Sequence, residues 1–313
     1  MIVARSNWQL RRAIDSARQD AISQPIHDIV RERPRVAFVP TMGALHEGHI
    51  SLLRRAAEDD SPIRVASVFV NPTQFAKGED FSEYPRTEES DLELLDAAGV
   101  DVAYLPSVDD IYPPDFGSRI TADRKLTDCL CGTSRGAEHF DGVVTVVARL
   151  FGLVQPDTAW FGEKDWQQLQ IIRRMAADIH PGVEVMRGAT VRATDGVALS
   201  SRNAYLTQEA RDTARAVPDA LAAARAAFVS SGDVETALNA GIDLLEAAGL
   251  EVDYFELRSA QTLEPVLKLG NDDPELPNHA RLFVAARLEG VRLIDNDALR
   301  TNSNIEASLA LTS

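Results

Sequence analysis

The chain has 313 residues, 45% of them hydrophobic and 26% charged, which gives room for one large domain or two of ordinary size in a globular protein. Its net charge of −16 opposes association with a phosphate backbone, so no nucleic-acid partner is expected, and any anionic substrate must meet a local cluster of donors. The sequence holds no run of about eighteen apolar residues, and residues 1–6 reach charge at Arg5 without an apolar core. Neither a membrane span nor export is therefore expected, and the cytoplasm is the default location. Cys129 and Cys131 are too few for a disulfide framework or a four-ligand zinc site and read as buried or half-buried free thiols.

In chain order, residues 35–39 predict a buried strand followed by a glycine-containing turn. A helix over 49–59 has Ile50, Leu53 and Ala57 on one face, and 63–70 is a second apolar strand. Strand, helix and strand together indicate a parallel sheet. Thr87 is expected to cap a helix with Glu88 and Glu89 in its first turn and Gly99 past its end. Further expectations are a strand at 102–105, a helix at 143–153, a strand at 158–161, and a helix at 165–179 with Trp166, Leu169, Ile172 and Met175 inward. This alternation predicts an α/β fold, a Rossmann-like doubly wound parallel sheet over residues 1–186. Residues 187–313 read as a smaller α+β domain, with helices near 208–229 (broken or kinked by Pro218) and 234–248 (stopped by Gly249) and strands near 252–258, 281–288 and 291–295. A loop over 270–279 and a weakly ordered tail over 300–313 complete the expectation.

The most informative stretch is Pro40-Thr41-Met42-Gly43-Ala44-Leu45-His46-Glu47-Gly48-His49, between the first predicted strand and helix. Gly43 and Gly48 have phosphate-loop spacing, but His49 and Ile50 stand where a P-loop requires Lys and Ser or Thr. The physical logic of a phosphate site survives: glycines admit an anion to the backbone, and a helix start offers free N–H groups and partial positive charge. His46 and His49 could both donate to charge developing on a phosphoryl group, or could be ordinary residues of a turn, or zinc ligands.

Three other segments have chemical promise beside a bland reading. Asn71-Pro72-Thr73-Gln74 is either a simple turn or a way of presenting the Gln74 amide at the carboxyl edge of the sheet. Gly162-Glu163-Lys164-Asp165 brings a mobile cation to a strand–helix junction, while Asp165 and Gln168 have the spacing of a helix capping box. Ser200, Ser201 and Arg202 form either an exposed polar loop or a clamp for triphosphate oxygens.

The stretch Thr41-Met42-Gly43-Ala44-Leu45-His46-Glu47-Gly48-His49 resembles the H-x-G-H element of the nucleotidyltransferase superfamily, and in its full form the pantothenate synthetase family. The other segments match that family in order, with Leu199 where the usual form has Met before Ser-Ser-Arg, a swap of similar volume. A glycine-rich segment carrying Arg135 and His139 is the faintest match. The resemblance implies ATP-dependent condensation of (R)-pantoate with β-alanine through a pantoyl-adenylate, giving pantothenate, AMP and pyrophosphate. It implies ATP binding by Met42, Gly43, Ala44, Leu45, His46, Glu47, Gly48, His49, Gly162, Glu163, Lys164, Asp165, Val191, Leu199, Ser200, Ser201 and Arg202. It implies pantoate binding by Gln74 and Gln168, β-alanine binding by Gln74, and catalysis by His49, His46 and Lys164, with His49 as proton donor. Mg²⁺ bound with ATP and a homodimer are further expectations from the family. Two other readings share the motif: transfer of AMP to a phosphate-bearing acceptor, and an inactive tRNA-binding relative, which the acidic charge opposes.

Overall fold

The computed structural model describes residues 1–23, 33–59, 61–76, 78–268 and 279–299. The chain divides into two compact units, Met1–Arg192 with Leu199–Ser201, and Ala193–Ala198 with Arg202–Ser313. The expected tail over 300–313, and the expected 270–279 loop apart from its last residue, lie outside the described residues.

The first unit is a six-stranded sheet in which every pairing is parallel. Its elements are β1 (Ile2–Ala4), α1 (Asn7–Ser23), β2 (Val36–Thr41), α2 (Glu47–Glu58), β3 (Ile63–Val68), α3 (Glu88–Ala97) and β4 (Val102–Tyr104). Three short helices follow, α4 (Val108–Ile111), α5 (Arg124–Thr127) and α6 (Cys131–Arg135), then α7 (Ala137–Val154), β5 (Thr158–Gly162), α8 (Trp166–Ile179) and β6 (Glu184–Gly188). Ile50, Leu53 and Ala56 of α2 and Leu95 of α3 pack on Ala37, Val39, Ala66 and Ala103, one face of the sheet. On the other face Phe38 and Phe161 meet Phe151 of α7, and Tyr104 donates to Asn7 of α1. Helices on both faces make the sheet doubly wound, as expected.

The strand order β1-β4-β3-β2-β5-β6 decides where a ligand belongs. From β2 the chain winds outward through β3 and β4, then crosses back to place β5 on the other side of β2. The carboxyl ends of β2 and β5 flank this reversal, the position at which open α/β sheets leave a crevice. Residues 42–46 leave the first of those ends, and Glu163, Lys164 and Asp165 leave the second.

Local expectations fared unevenly. The Thr87 side chain makes no cap hydrogen bond, and its backbone carbonyl accepts from Asp91 N and Ser90 Oγ instead. The helix expected at 143–153 starts six residues earlier, at Ala137. Gly142 sits inside α7, where only a glycine fits, since the Thr73 carbonyl oxygen lies 2.3 Å from where a Cβ would be. Gly142→Ala therefore forces the 72–74 turn away from α7 and should destabilise the protein by about 1–3 kcal/mol, read as a lowered thermal midpoint. Missed altogether were the short helices α4, α5 and α6, the edge strands β1 and β6, and the helix α1. The latter carried a signal: Ser6 and Gln9 form a reciprocal cap, Ser6 Oγ accepting from Gln9 N and Gln9 Oε1 from Arg5 N.

The second unit contains α9 (Gln208–Thr213), α10 (Ala216–Ser231), α11 (Val234–Ala247) and an antiparallel sheet of β7 (Glu251–Ser259), β8 (Ala280–Leu288) and β9 (Val291–Ala298). Pro218 does not break the helical run. The break falls at residues 214–215, and Pro218 sits in the first turn of α10, where a missing N–H does no harm. Val217, Leu221, Leu245, Leu282 and Val284 form this unit's core.

Candidate active site

The turn leaving β2 is built to hold two imidazoles. Thr41 Oγ1 donates to Ser67 O at 2.7 Å and accepts from Gly43 N at 3.2 Å. Gly43 and Ala44 then take φ of +81° and +48°, reversing the chain within two residues. His46 becomes the N-cap of α2, its Nδ1 accepting from Gly48 N at 3.1 Å, while His49 Nδ1 accepts from His46 N at 3.3 Å. The two rings lie 4.1 Å apart. This is a capping box made of histidines, and it fixes chemistry as well as direction. A ring nitrogen that accepts carries no proton, so both imidazoles are neutral with their N–H at Nε2.

Electrostatics agree. Burial, assisted by the Lys164 cation, lowers the His46 pKa to about 4 against an opposing pull from Asp165. Burial, then His46 and Lys164, lower that of His49 to about 3. At neutral pH each is therefore a hydrogen-bond donor and not an imidazolium. Protonation would break both caps. The unfolded state binds these protons near pH 6.5 and the folded state only near pH 3–4, so stability should fall as pH drops through that window. In the His46→Gln/His49→Gln double variant, melting between pH 4 and 6.5 should depend less steeply on pH.

The amide positions of the turn correct the idea of a backbone phosphate cradle. Ala44 N and Leu45 N donate to the buried Asp91 carboxylate at 3.0 and 2.8 Å, and those of Gly43, His46, Gly48 and His49 also donate within the protein. The two imidazole N–H groups remain for a ligand.

Gln74 ends a short 3-10 turn, Pro72–Gln74, whose N-cap Asn71 is buried. Asn71 Nδ2 donates to Gln74 Oε1 at 3.0 Å, and Gln74 Nε2 donates to Met42 Sδ at 3.1 Å, joining this turn to the histidine turn. Tyr112 OH donates to Asn71 Oδ1 at 2.9 Å. Arg135 and His139 serve the same turn. Arg135 can only donate, so His139 Nε2 accepts from it at 3.1 Å and His139 Nδ1–H donates to the Gln74 carbonyl at 2.7 Å. Glu79 holds Arg135 by a two-point fork at 3.0 and 2.8 Å. Burial alone would raise the Glu79 carboxyl, and the Arg135 fork outweighs it, leaving the pKa below the usual carboxylate range. Asn71, Tyr112 and Asp91 are the supporting residues that sequence reasoning missed.

At the end of β5, residues Glu163–Asp165 form a 3-10 turn. The capping box expected from Asp165 and Gln168 is absent. Asp165 has φ −96° and ψ 54°, short of the extended conformation that turns an N-cap side chain back onto its helix, and it makes no cap bond. Glu163 Oε1 meets Arg187 Nη1 at 3.2 Å, and Lys164 Nζ lies 4.0 Å from Asp165. Gln168 is half-buried on the first turn of α8, whereas its neighbour Gln167 is buried and bonds to Leu126, Cys129 and Cys131. Both cysteines are thiols outside any disulfide, one buried and one half-buried, as expected.

Leu199–Ser201 belongs to the first unit. Leu199 N donates to Val191 O at 3.0 Å, and Ser201 Oγ donates to Ala44 O at 3.1 Å, on the histidine turn itself. The fold thus brings Met42 through His49, Gln74, Lys164, Val191, Leu199 and Ser201 into one unit. Arg202 is counted with the other. No helix among the described residues is long and apolar enough to cross a membrane.

Comparison with known proteins gives this geometry a context. The family model described as Pantoate-beta-alanine ligase matches residues 12–298. Pantothenate synthetase of Rhodopseudomonas palustris is 44% identical over 298 residues, covering 95% of this chain and 98% of that protein. The crystal structure of pantothenate synthetase from Thermus thermophilus superposes with a TM-score of 0.84 at 42% identity, covering 96% of this chain and all of that one. That of the pantoate-beta-alanine ligase from Francisella tularensis, complexed with beta-gamma ATP and beta-alanine, gives 0.73 at 31% identity over 96% and 99%.

Proposed function

This chain belongs to the pantoate–beta-alanine ligase family and joins pantoate to β-alanine in the making of pantothenate, and from that premise we propose the route by which its residues do so. A carboxylate oxygen of pantoate attacks the α-phosphorus of ATP, a new P–O bond forms, and the bond to pyrophosphate breaks. The β-alanine amine then attacks the acyl carbon of pantoyl-adenylate, AMP leaves with the bonding pair, and the amine proton passes to solvent. Pyrophosphate and AMP are stable anions at neutral pH, so neither departure requires an imidazolium. Catalysis of the first step is then positioning and charge stabilisation.

His46 and His49 donate Nε2–H bonds to phosphate oxygens, and Lys164 brings its charge to them. Ser200 adds a hydroxyl, Ser201 braces the turn through its bond to Ala44 O and reaches the nucleotide only by releasing it, and Arg202 is a further donor assigned on resemblance. The backbone of residues 42–49 and 162–165, with Val191 and Leu199, borders the nucleotide. Gln74, held at both ends of its amide, binds pantoate and β-alanine, and Gln168 binds pantoate. Mg²⁺ would come with ATP and offset the charge of its phosphates. The same reading makes the protein a cytoplasmic homodimer acting on small molecules and not on nucleic acid.

The observation that carries this proposal is the pair of neutral imidazoles, locked by each other's caps at the sheet's switch point and beside Lys164. The test is exchange of labelled pyrophosphate into ATP without β-alanine. Exchange should require pantoate. Exchange that ignores pantoate, or none at all, would overturn the route.

A further inference from the structure

The buried carboxylate of Asp91 has no place in the chemistry above, yet it sits under the residues that perform it. Asp91 lies on α3, forty-six residues beyond Leu45, and is 1% exposed. Its two oxygens take the amides of Ala44 and Leu45, the last two residues before His46. The packing leaves no slack: a Cβ on Gly43 would stand 2.9 Å from Asp91 Oδ2 and 3.0 Å from Val68 Cγ1.

This arrangement is the reverse of what phosphate affinity alone would favour. A turn at a helix start normally presents its amides to an anion. Here a fixed anion has taken two of them, adding negative charge beside a site proposed to hold a triphosphate. A device that weakens attraction for the nucleotide makes sense where it secures geometry. With φ positive at both Gly43 and Ala44, the turn is held in the left-handed region, unfavourable for alanine, and needs outside bonds to stay there. Asp91 supplies them from a separate element packed on the same sheet face.

We propose that Asp91 is a positioning residue for adenylate formation, clamping the Gly43–Ala44–Leu45 turn so that His46 and His49 meet the reacting phosphate in register. The inference rests on the route proposed above. It predicts a split between binding and rate. A displacement of about 1 Å at a reacting group can cost on the order of 10²-fold in rate, whereas removing a negative charge near the site should leave ATP binding unchanged or tighter.

Asp91→Asn keeps the shape, retains one acceptor and sets an N–H against the other amide. The folded variant, checked by circular dichroism and melting, should lose on the order of 10²-fold in kcat of pantoate-dependent pyrophosphate exchange. Its KM for ATP should hold or fall, and conversion of supplied pantoyl-adenylate and β-alanine to pantothenate should drop far less. Gly43→Ala pushes on the same contact from the opposite side and should slow exchange far more than conversion of supplied pantoyl-adenylate, so that rate split decides the matter if Asp91→Asn does not fold. Exchange within about twofold of the parent, or an equal fall in both half-reactions, would overturn the positioning role. Failure of the parent chain to exchange at all would instead remove the route on which it rests.

Discussion

His49→Ala is expected to slow pantoate-dependent pyrophosphate exchange by about 10²–10³, or roughly 3–4 kcal/mol of lost transition-state stabilisation, the usual effect of deleting one well-aimed donor. The alanine also removes the acceptor for His46 N, so part of any loss could come from a frayed cap. Two variants separate these effects. His49→Asn places an oxygen near the Nδ1 position and should keep most of the capped stability, worth about 0.5–2 kcal/mol, while remaining slow. His49→Gln extends an amide N–H toward the Nε2 position and should recover part of the rate. A His49→Ala protein that is folded and turns over like its parent would remove His49 from the chemistry, and an Asn variant faster than Gln would assign its importance to the cap.

How much of this was legible beforehand follows the range of each interaction. The histidine turn could be read because all its essential parts lie within residues 36–58: a strand, two glycines, two histidines one helical turn apart, and an amphipathic helix. Their tautomers could not, since that needs to be known from which nitrogen accepts a backbone proton. Asp91 was invisible in its role because its partners are more than forty residues away, and an Asp in an acidic first turn has an ordinary local explanation in the helix dipole. The Asp165–Gln168 spacing misled for the opposite reason. The pattern fits a cap, but the chain enters α8 through a 3-10 turn, and backbone geometry decides whether a side chain can reach. The need for glycine at 142 likewise shows only once Thr73 is placed against it. The parallel sheet was within reach of the α/β alternation, but the short edge strands carry little apolar pattern and escaped it.

Lys164 links the electrostatics to the rate. Its cation lowers the pKa of both His46 and His49, second to burial in the first case and third in the second. Lys164→Met should therefore raise both values, His46 more visibly because Asp165 pulls in that direction and would be opposed by burial alone. The nuclear magnetic resonance titration of the two rings in the absence of nucleotide reads this directly. The same variant should lose about 10²–10³ in kcat/KM for ATP, as a charge aimed at the phosphates disappears from beside a histidine turn that supplies only neutral donors. Lys164→Arg restores the charge but not the point-like head, since a planar fork wants a bidentate partner, and it should recover the histidine pKa values better than the rate. Both effects arise from one position of one ammonium group. If Lys164→Met moved the imidazole titrations and left ATP kinetics intact, Lys164 would be a neighbour of the histidines with no hold on the nucleotide, and the cationic part of the proposed site would have to be sought elsewhere.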